Sequence, residues 1–165
     1  GWIFSYVSES GIADIATASQ ITALFWASLS LGRLIAIPIS KKVAPGTIVL
    51  FNFSLLTLVV ILLLIWPTRP VMMWIGSAGV GLATSVLFPT LLSYAKTLVN
   101  MTGRVTGLLY LGSSLGMMVL PLSLGQVFDR FGGFAMILVV FGASLLGLGI
   151  IILLRFLSAS IRAAE

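Results

Sequence analysis

Apolar residues along this chain do not alternate with polar ones; they run in blocks about as long as a bilayer is thick. A hydrocarbon core needs about 20 apolar residues in helix, and five such blocks predict spans at about 17–39, 46–66, 71–97, 104–127 and 134–157. A sixth apolar piece at 1–12 is too short to cross and has no basic region before it, so it is not a signal peptide; it reads as the end of a helix cut off upstream. The connections are short and carry breakers or charge: Lys41-Lys42-Val43-Ala44-Pro45-Gly46, Pro67-Thr68-Arg69-Pro70, Asn100-Met101-Thr102-Gly103-Arg104 and Asp129-Arg130-Phe131-Gly132-Gly133. Short connections make neighbouring helices antiparallel. Residues 1–165 therefore read as one all-α transmembrane bundle with no soluble domain.

The helices differ in character. Segments 46–66 and 134–157 are apolar on every side, which predicts positions at the periphery of the bundle. The others carry small and polar stripes. Trp74, Ser77, Gly81, Thr84, Ser85 and Phe88 recur at helical spacing, as do Thr106, Tyr110, Ser113, Ser114 and Met117. Gln20, Leu24, Ser28 and Gly32 share a face with Trp26 close by, and the first piece offers Trp2, Ser5, Tyr6 and Glu9. Small residues let membrane helices approach closely, and Gly103/Gly107 and Gly112/Gly116 fit that use. Gln20, Trp26, Trp74 and Tyr110 are bulky and polar-tipped, and fit a cavity wall as well as a packing face. Pro89 removes the amide that would bond the Ser85 carbonyl, Pro121 does so for Met117 and Pro38 for Leu34. Kinked helices beside a polar stripe suggest a hydrated cavity that changes shape.

Composition sharpens this picture. Hydrophobic residues make up 59% of the chain and charged ones 8%, against about 25% charged in an ordinary soluble domain. The net charge is +5, but the cations are scattered among apolar runs and form no nucleic-acid-binding stripe. With no His and no Cys, the chain offers no disulfide, no metal-ligand cluster and no nucleophile–base pair, so an enzyme is not expected. A channel is not expected either, since no ring of charge or filter-like loop appears. One side of the membrane would hold Lys41, Lys42, Lys96, Arg104, Arg155 and Arg162, and the other only Arg69 and Arg130. That bias puts the first side, and the C-terminus, in the cytoplasm, with Glu9, Asp14 and Asp129 outside. Arg33 lies within a span near the cytoplasmic end, where a structural or gating contact is expected of it more than a solute contact.

The order of the helices repeats: an incomplete and a polar-striped helix precede an apolar one, then two polar-striped helices precede another. Gly32-Arg33-Leu34 followed by Ser40-Lys41-Lys42-Val43-Ala44-Pro45 resembles the motif between helices 8 and 9 of the major facilitator superfamily. Gly125-Gln126-Val127-Phe128-Asp129-Arg130-Phe131-Gly132 resembles its helix 11–12 boundary. Gly1-Trp2-Ile3 with Ser5-Tyr6, and Gly81-Leu82 with Ser85 and Phe88-Pro89-Thr90-Leu91-Leu92-Ser93, are similar to helices 7 and 10 of the fucose permease-like branch. Within that branch the chain resembles the sodium-dependent glucose transporter-like group.

The resemblance implies the C-terminal six-helix half of a twelve-helix carrier, with helix 7 truncated and helices 8–12 present, working by alternating access in the plasma membrane. It implies a small polar solute, a sugar such as glucose, and a missing N-terminal six-helix half as partner. The expected solute wall is Trp2, Tyr6, Gln20, Trp26, Ser85, Tyr110 and Ser114, with gating or structural roles for Arg33, Pro89, Pro121, Asp129 and Arg130. No cofactor is expected. A sodium ion or proton would be the coupling ion, with its site in the missing half, because no carboxylate lies deep in a span; passive transport is the alternative. A non-transporting scaffold, receptor or orphan of the same fold is the other reading. Alone, the segment is expected to be inactive and poorly folded. The topology also predicts that neither Asn52-Phe53-Ser54, within a span, nor Asn100-Met101-Thr102, on the cytoplasmic side, is glycosylated. Translation into microsomes followed by glycosidase treatment checks this, and a glycan on Asn100 would overturn the orientation.

Overall fold

A computed structural model describes residues 2–9 and 14–163, with side chains for residues 4–7, 14–158 and 160. The described residues form six helices and no strand: α1 (Trp2–Glu9), α2 (Ile15–Ser40), α3 (Pro45–Ile65), α4 (Pro70–Thr84), α5 (Leu87–Leu98) and α6 (Gly103–Ala163). Their starts are written in the sequence. Asp14 caps α2 by accepting from the Thr17 amide at 3.2 Å, and these bonds to Thr17 hold its carboxyl below the ordinary carboxylate pKa. Pro45 and Pro70 open α3 and α4, where a missing amide costs nothing and the fixed φ suits the first turn. By length and composition four segments are able to cross a membrane: Ile15–Ser40, Pro45–Ile65, Pro70–Leu98 and Gly103–Ser158.

The last of these is long enough to cross twice. The sequence reading places a connection at 129–133, whereas the helix runs through Asp129, Arg130 and Phe131 and breaks only at Gly132, where φ is 77° and ψ is 177°. A side chain is strained at that φ, so a single glycine replaces the expected loop.

Two clusters hold the bundle. The larger joins Tyr6 and Val7 of α1, Ala18 and Ile21 of α2, Leu56 and Val60 of α3, Met73 and Ala83 of α4, and Phe128, Met136 and Ile137 on either side of the α6 break. The smaller joins Val49 of α3, Tyr94 of α5 and Ile151 of α6. Segment 46–66, expected at the periphery, packs on one side and leaves Phe51, Leu58, Ile61 and Ile65 exposed on the other. α3 packs against α4, α5 and α6 and buries Val49, Asn52, Leu56, Val59 and Val60. Apolarity on all sides suits a helix shared among neighbours as well as one facing lipid. The polar-striped α2 leaves most of its surface open, as does α6 before Gly132.

Close approach comes from glycines other than those expected. A Cβ on Gly103, Gly107, Gly112 or Gly116 would meet nothing within 4 Å. A Cβ on Gly81 of α4 would lie 2.6 Å from the Phe25 carbonyl oxygen and 3.2 Å from the Leu29 amide of α2. Backbone cannot swing aside as a side chain does. At the same crossing Ser77 donates to the Ile21 carbonyl at 2.6 Å. We predict that Gly81→Val destabilises the protein by about 1–3 kcal/mol through overpacking, while Gly107→Ala is neutral or mildly stabilising. Thermal unfolding in one detergent compares the two, and equal stability would refute the crossing.

Candidate functional site

The site grows from the interruption between α4 and α5. Pro89 has no amide hydrogen, so the Ser85 carbonyl loses its helical partner. The chain breaks there: Thr84 ends α4, Leu87 begins α5, and Val86 takes φ −124° and ψ 10°. In hydrocarbon an unpaired carbonyl is costly. Here the guanidinium of Arg33 reaches across from α2, and its Nε donates to the Ser85 carbonyl at 3.2 Å. Gly32 makes the reach short, because a Cβ there would collide with the Ser85 side chain. Ser85 itself is buried, and its Oγ donates to the Leu82 carbonyl at 2.7 Å.

Beside this strap lies a cavity of about 310 Å³ between the end of α2, the start of α3 and α5. Arg33, Ser40, Pro89, Thr90 and Ser93 supply its polar and turning residues. Ser40 and Ser93 hydroxyls donate to the carbonyls of Ile37 and Pro89, so their oxygens remain as acceptors. A neighbouring cleft of about 540 Å³, between α2, α3 and the α4–α5 break, is mostly apolar; buried Asn52 lines it, and its Nδ2 has no hydrogen-bond partner among the described residues.

The expected solute residues are not gathered into one wall. Trp2 lies in α1, but its side chain is outside the described residues. Tyr6 is buried and donates to the Pro67 carbonyl at 3.1 Å; its ring lines a separate, nearly apolar cavity of about 200 Å³ with Ser77, Leu124 and Met136. Gln20 is exposed on α2, and Trp26 is 62% exposed there, edge-on to Phe25 at 5.2 Å. Tyr110 of α6 is half exposed and meets Phe88 of α5 edge-to-face at 5.4 Å, with Ser114 exposed one turn on. Of the expected gating residues, Arg33 and Pro89 meet at the Ser85 carbonyl region, Pro121 is exposed within α6, and Asp129 and Arg130 are exposed on the turn before Gly132. Sequence reading passed over Ser40, Thr90 and Ser93 as a set. The spacing of Thr90 and Ser93 after Pro89 is visible in the sequence, but their sharing a cavity with Ser40 depends on how α2, α3 and α5 are placed around it.

Comparison with known proteins agrees with this architecture. The chain is 35% identical over 137 residues to major facilitator superfamily domain-containing protein 4A of Xenopus tropicalis, an alignment that covers 82% of this chain and 27% of that protein. The Homo sapiens protein of the same name is 32% identical over 144 residues, covering 86% of this chain and 28% of the relative. The chain belongs to the major facilitator superfamily. Sodium-dependent glucose transporter 1 of Danio rerio, 31% identical over 124 residues, shares 75% of this chain and 21% of its own length. This superfamily member spans about a quarter of the length of the curated relatives it matches. No family model matches it, and no solved structure matches it significantly.

For this major facilitator chain, the strap makes a double-mutant cycle informative. Arg33→Leu removes the donor and should destabilise by about 0.6–1.7 kcal/mol, the range of interhelical hydrogen bonds in membranes. Pro89→Ala restores an amide that bonds the same carbonyl within the helix, so the double variant should recover most of the loss. Strict additivity in unfolding measurements would mean that the two residues do not share the carbonyl.

Proposed function

We propose that the chain forms one wall of a secondary carrier that moves a small polar solute across the membrane by alternating access. The observation that carries this reading is the interrupted α4–α5 helix, whose released carbonyl is held by a cation from α2 beside a partly polar cavity. Discontinuous helices of this kind line the central site of transporters, around which the two halves rock. The open polar faces of α2 and of α6 before Gly132 are the surfaces that such a site needs, and in this proposal a second six-helix half covers them.

The solute we favour is a sugar such as glucose, supported by the name of the Danio rerio relative. Trp26 and Tyr110 would stack on its apolar face, while Gln20 and Ser114 would take its hydroxyls; the hydroxyls of Tyr6 and Ser85 already bond backbone carbonyls and are not counted as contacts. Sodium is the coupling ion of choice on the same support. The carboxylates with described side chains, Asp14 and Asp129, both lie near predicted span ends, so we place the coupling site in the other half. The proposed location is the plasma membrane, with the Lys41, Lys42 and Lys96 side and the C-terminus in the cytoplasm. A second reading, a non-transporting scaffold or receptor of the same fold, draws support from the structural bonds that occupy the Tyr6 and Ser85 hydroxyls.

The test is uptake of labelled glucose into liposomes that hold the chain together with a complementary six-helix half, with and without an inward sodium gradient. Gradient-driven uptake is expected, reduced about tenfold by Gln20→Ala or Trp26→Ala, the worth of roughly 1.4 kcal/mol of contact. Equal uptake without the gradient would remove the coupling. Absence of both uptake and solute-dependent stabilisation would favour the scaffold reading.

A further inference from the structure

Arg33 is more than a strap. Its side-chain hydrogen bond among the described residues uses Nε alone, which leaves the terminal amino groups of an exposed guanidinium at the cavity between α2, α3 and α5. Lys41 and Lys42 follow directly on Ser40, which lines that cavity, and Lys96 lies one turn beyond Ser93, which lines it from the other side. Among the described residues no carboxylate lines this cavity. Of the carboxylates whose side chains are described, Asp14 caps the opposite end of α2 and Asp129 belongs to α6. A concave site with one sign of charge, walled by helices, concentrates ions of the opposite sign.

The chemistry of the lining narrows the anion. A guanidinium presents paired N–H donors that match the oxygens of a phosphate or carboxylate. The Thr90 hydroxyl adds a donor with no side-chain bond of its own among the described residues. Ala36, Ile37 and Val43 line the cavity as well, so a ligand with an apolar portion beside its charge has a surface to lie on. Basic pockets between helices at one face of a bilayer are where anionic headgroups bind.

We propose that this cavity binds a phosphate group, offered by an anionic phospholipid or by a phosphorylated solute, with Arg33 and Thr90 as donors and the three lysines as its surrounding field. This site shares the Arg33 strap and its cavity with the carrier reading, but it requires neither the sugar nor the coupling ion proposed there.

The chain, with its complementary six-helix half, is reconstituted in nanodiscs of phosphatidylcholine doped with phosphatidylglycerol, and the retained lipids are counted by native mass spectrometry. Wild type should retain phosphatidylglycerol preferentially. Arg33→Gln should abolish the preference, and Thr90→Val or the K41Q/K42Q pair should reduce it severalfold. Thr90→Val leaves the Ser85 strap in place, so it decides the matter if the Arg33 variant does not fold. In a second arm, inorganic phosphate is titrated into nanodiscs of phosphatidylcholine alone while thermal unfolding is followed. Arg33-dependent stabilisation by phosphate assigns a soluble source, and its absence alongside lipid retention assigns the headgroup. Equal lipid retention by wild type and the variants, with no Arg33-dependent effect of phosphate, overturns the proposal.

Discussion

A carbonyl in hydrocarbon has no water to turn to, and Pro89 leaves one without a partner in the middle of an apolar segment. Much of the surrounding architecture follows from how that oxygen is satisfied. The donor comes from a different helix, so α2 and the α4–α5 break are held in register by a bond that neither helix makes alone. A charged donor gives a stronger bond than an amide would. It also brings a cation into the membrane, which costs about 2.5–3.5 kcal/mol at a span's centre on insertion scales. That cost is eased by the position of Arg33 near one end of α2, beside a cavity.

Such a bond needs two helices almost in backbone contact. Gly81 against Phe25 and Leu29, and Gly32 against Ser85, provide the approach, and the Ser77 hydroxyl bonded to the Ile21 carbonyl adds a second tie. Lipid supplies little drive for helices to associate, so close packing and interhelical bonds carry the load. One stripe of small residues thus both builds the crossing and delivers Arg33 to its acceptor.

The helical class, the apolar blocks and the helix-breaking effect of Pro89 were legible in the sequence, because each is a local property. Gly32-Arg33 and Pro89 could even be singled out separately. Their meeting could not, because nothing in a linear pattern says which face of α2 crosses α4. The same limit explains why Gly103 and Gly107 looked as suitable for packing as Gly81: spacing records that a close approach is allowed, not that a partner is present. For α3 the pattern leaves open which side packs on protein. A helix apolar all round looks the same whether lipid or protein surrounds it. The candidate solute residues remain the least legible part, since Tyr6 and Ser85 have the right chemistry for a sugar and spend it on backbone carbonyls.

The break at Gly132 has a mechanical meaning. Two long rods meet at one residue, with no slack strand between them, and Phe128 and Met136 on either side press into the same apolar cluster. At such a joint the two dihedral angles of one glycine are where the rods can turn relative to each other. If the rod before Gly132 turns about its axis, the rod after it must turn or the glycine must change its dihedral angles, and α3, packed along the second rod, feels the result. Whatever rotation separates the two rods is thereby confined to a single residue.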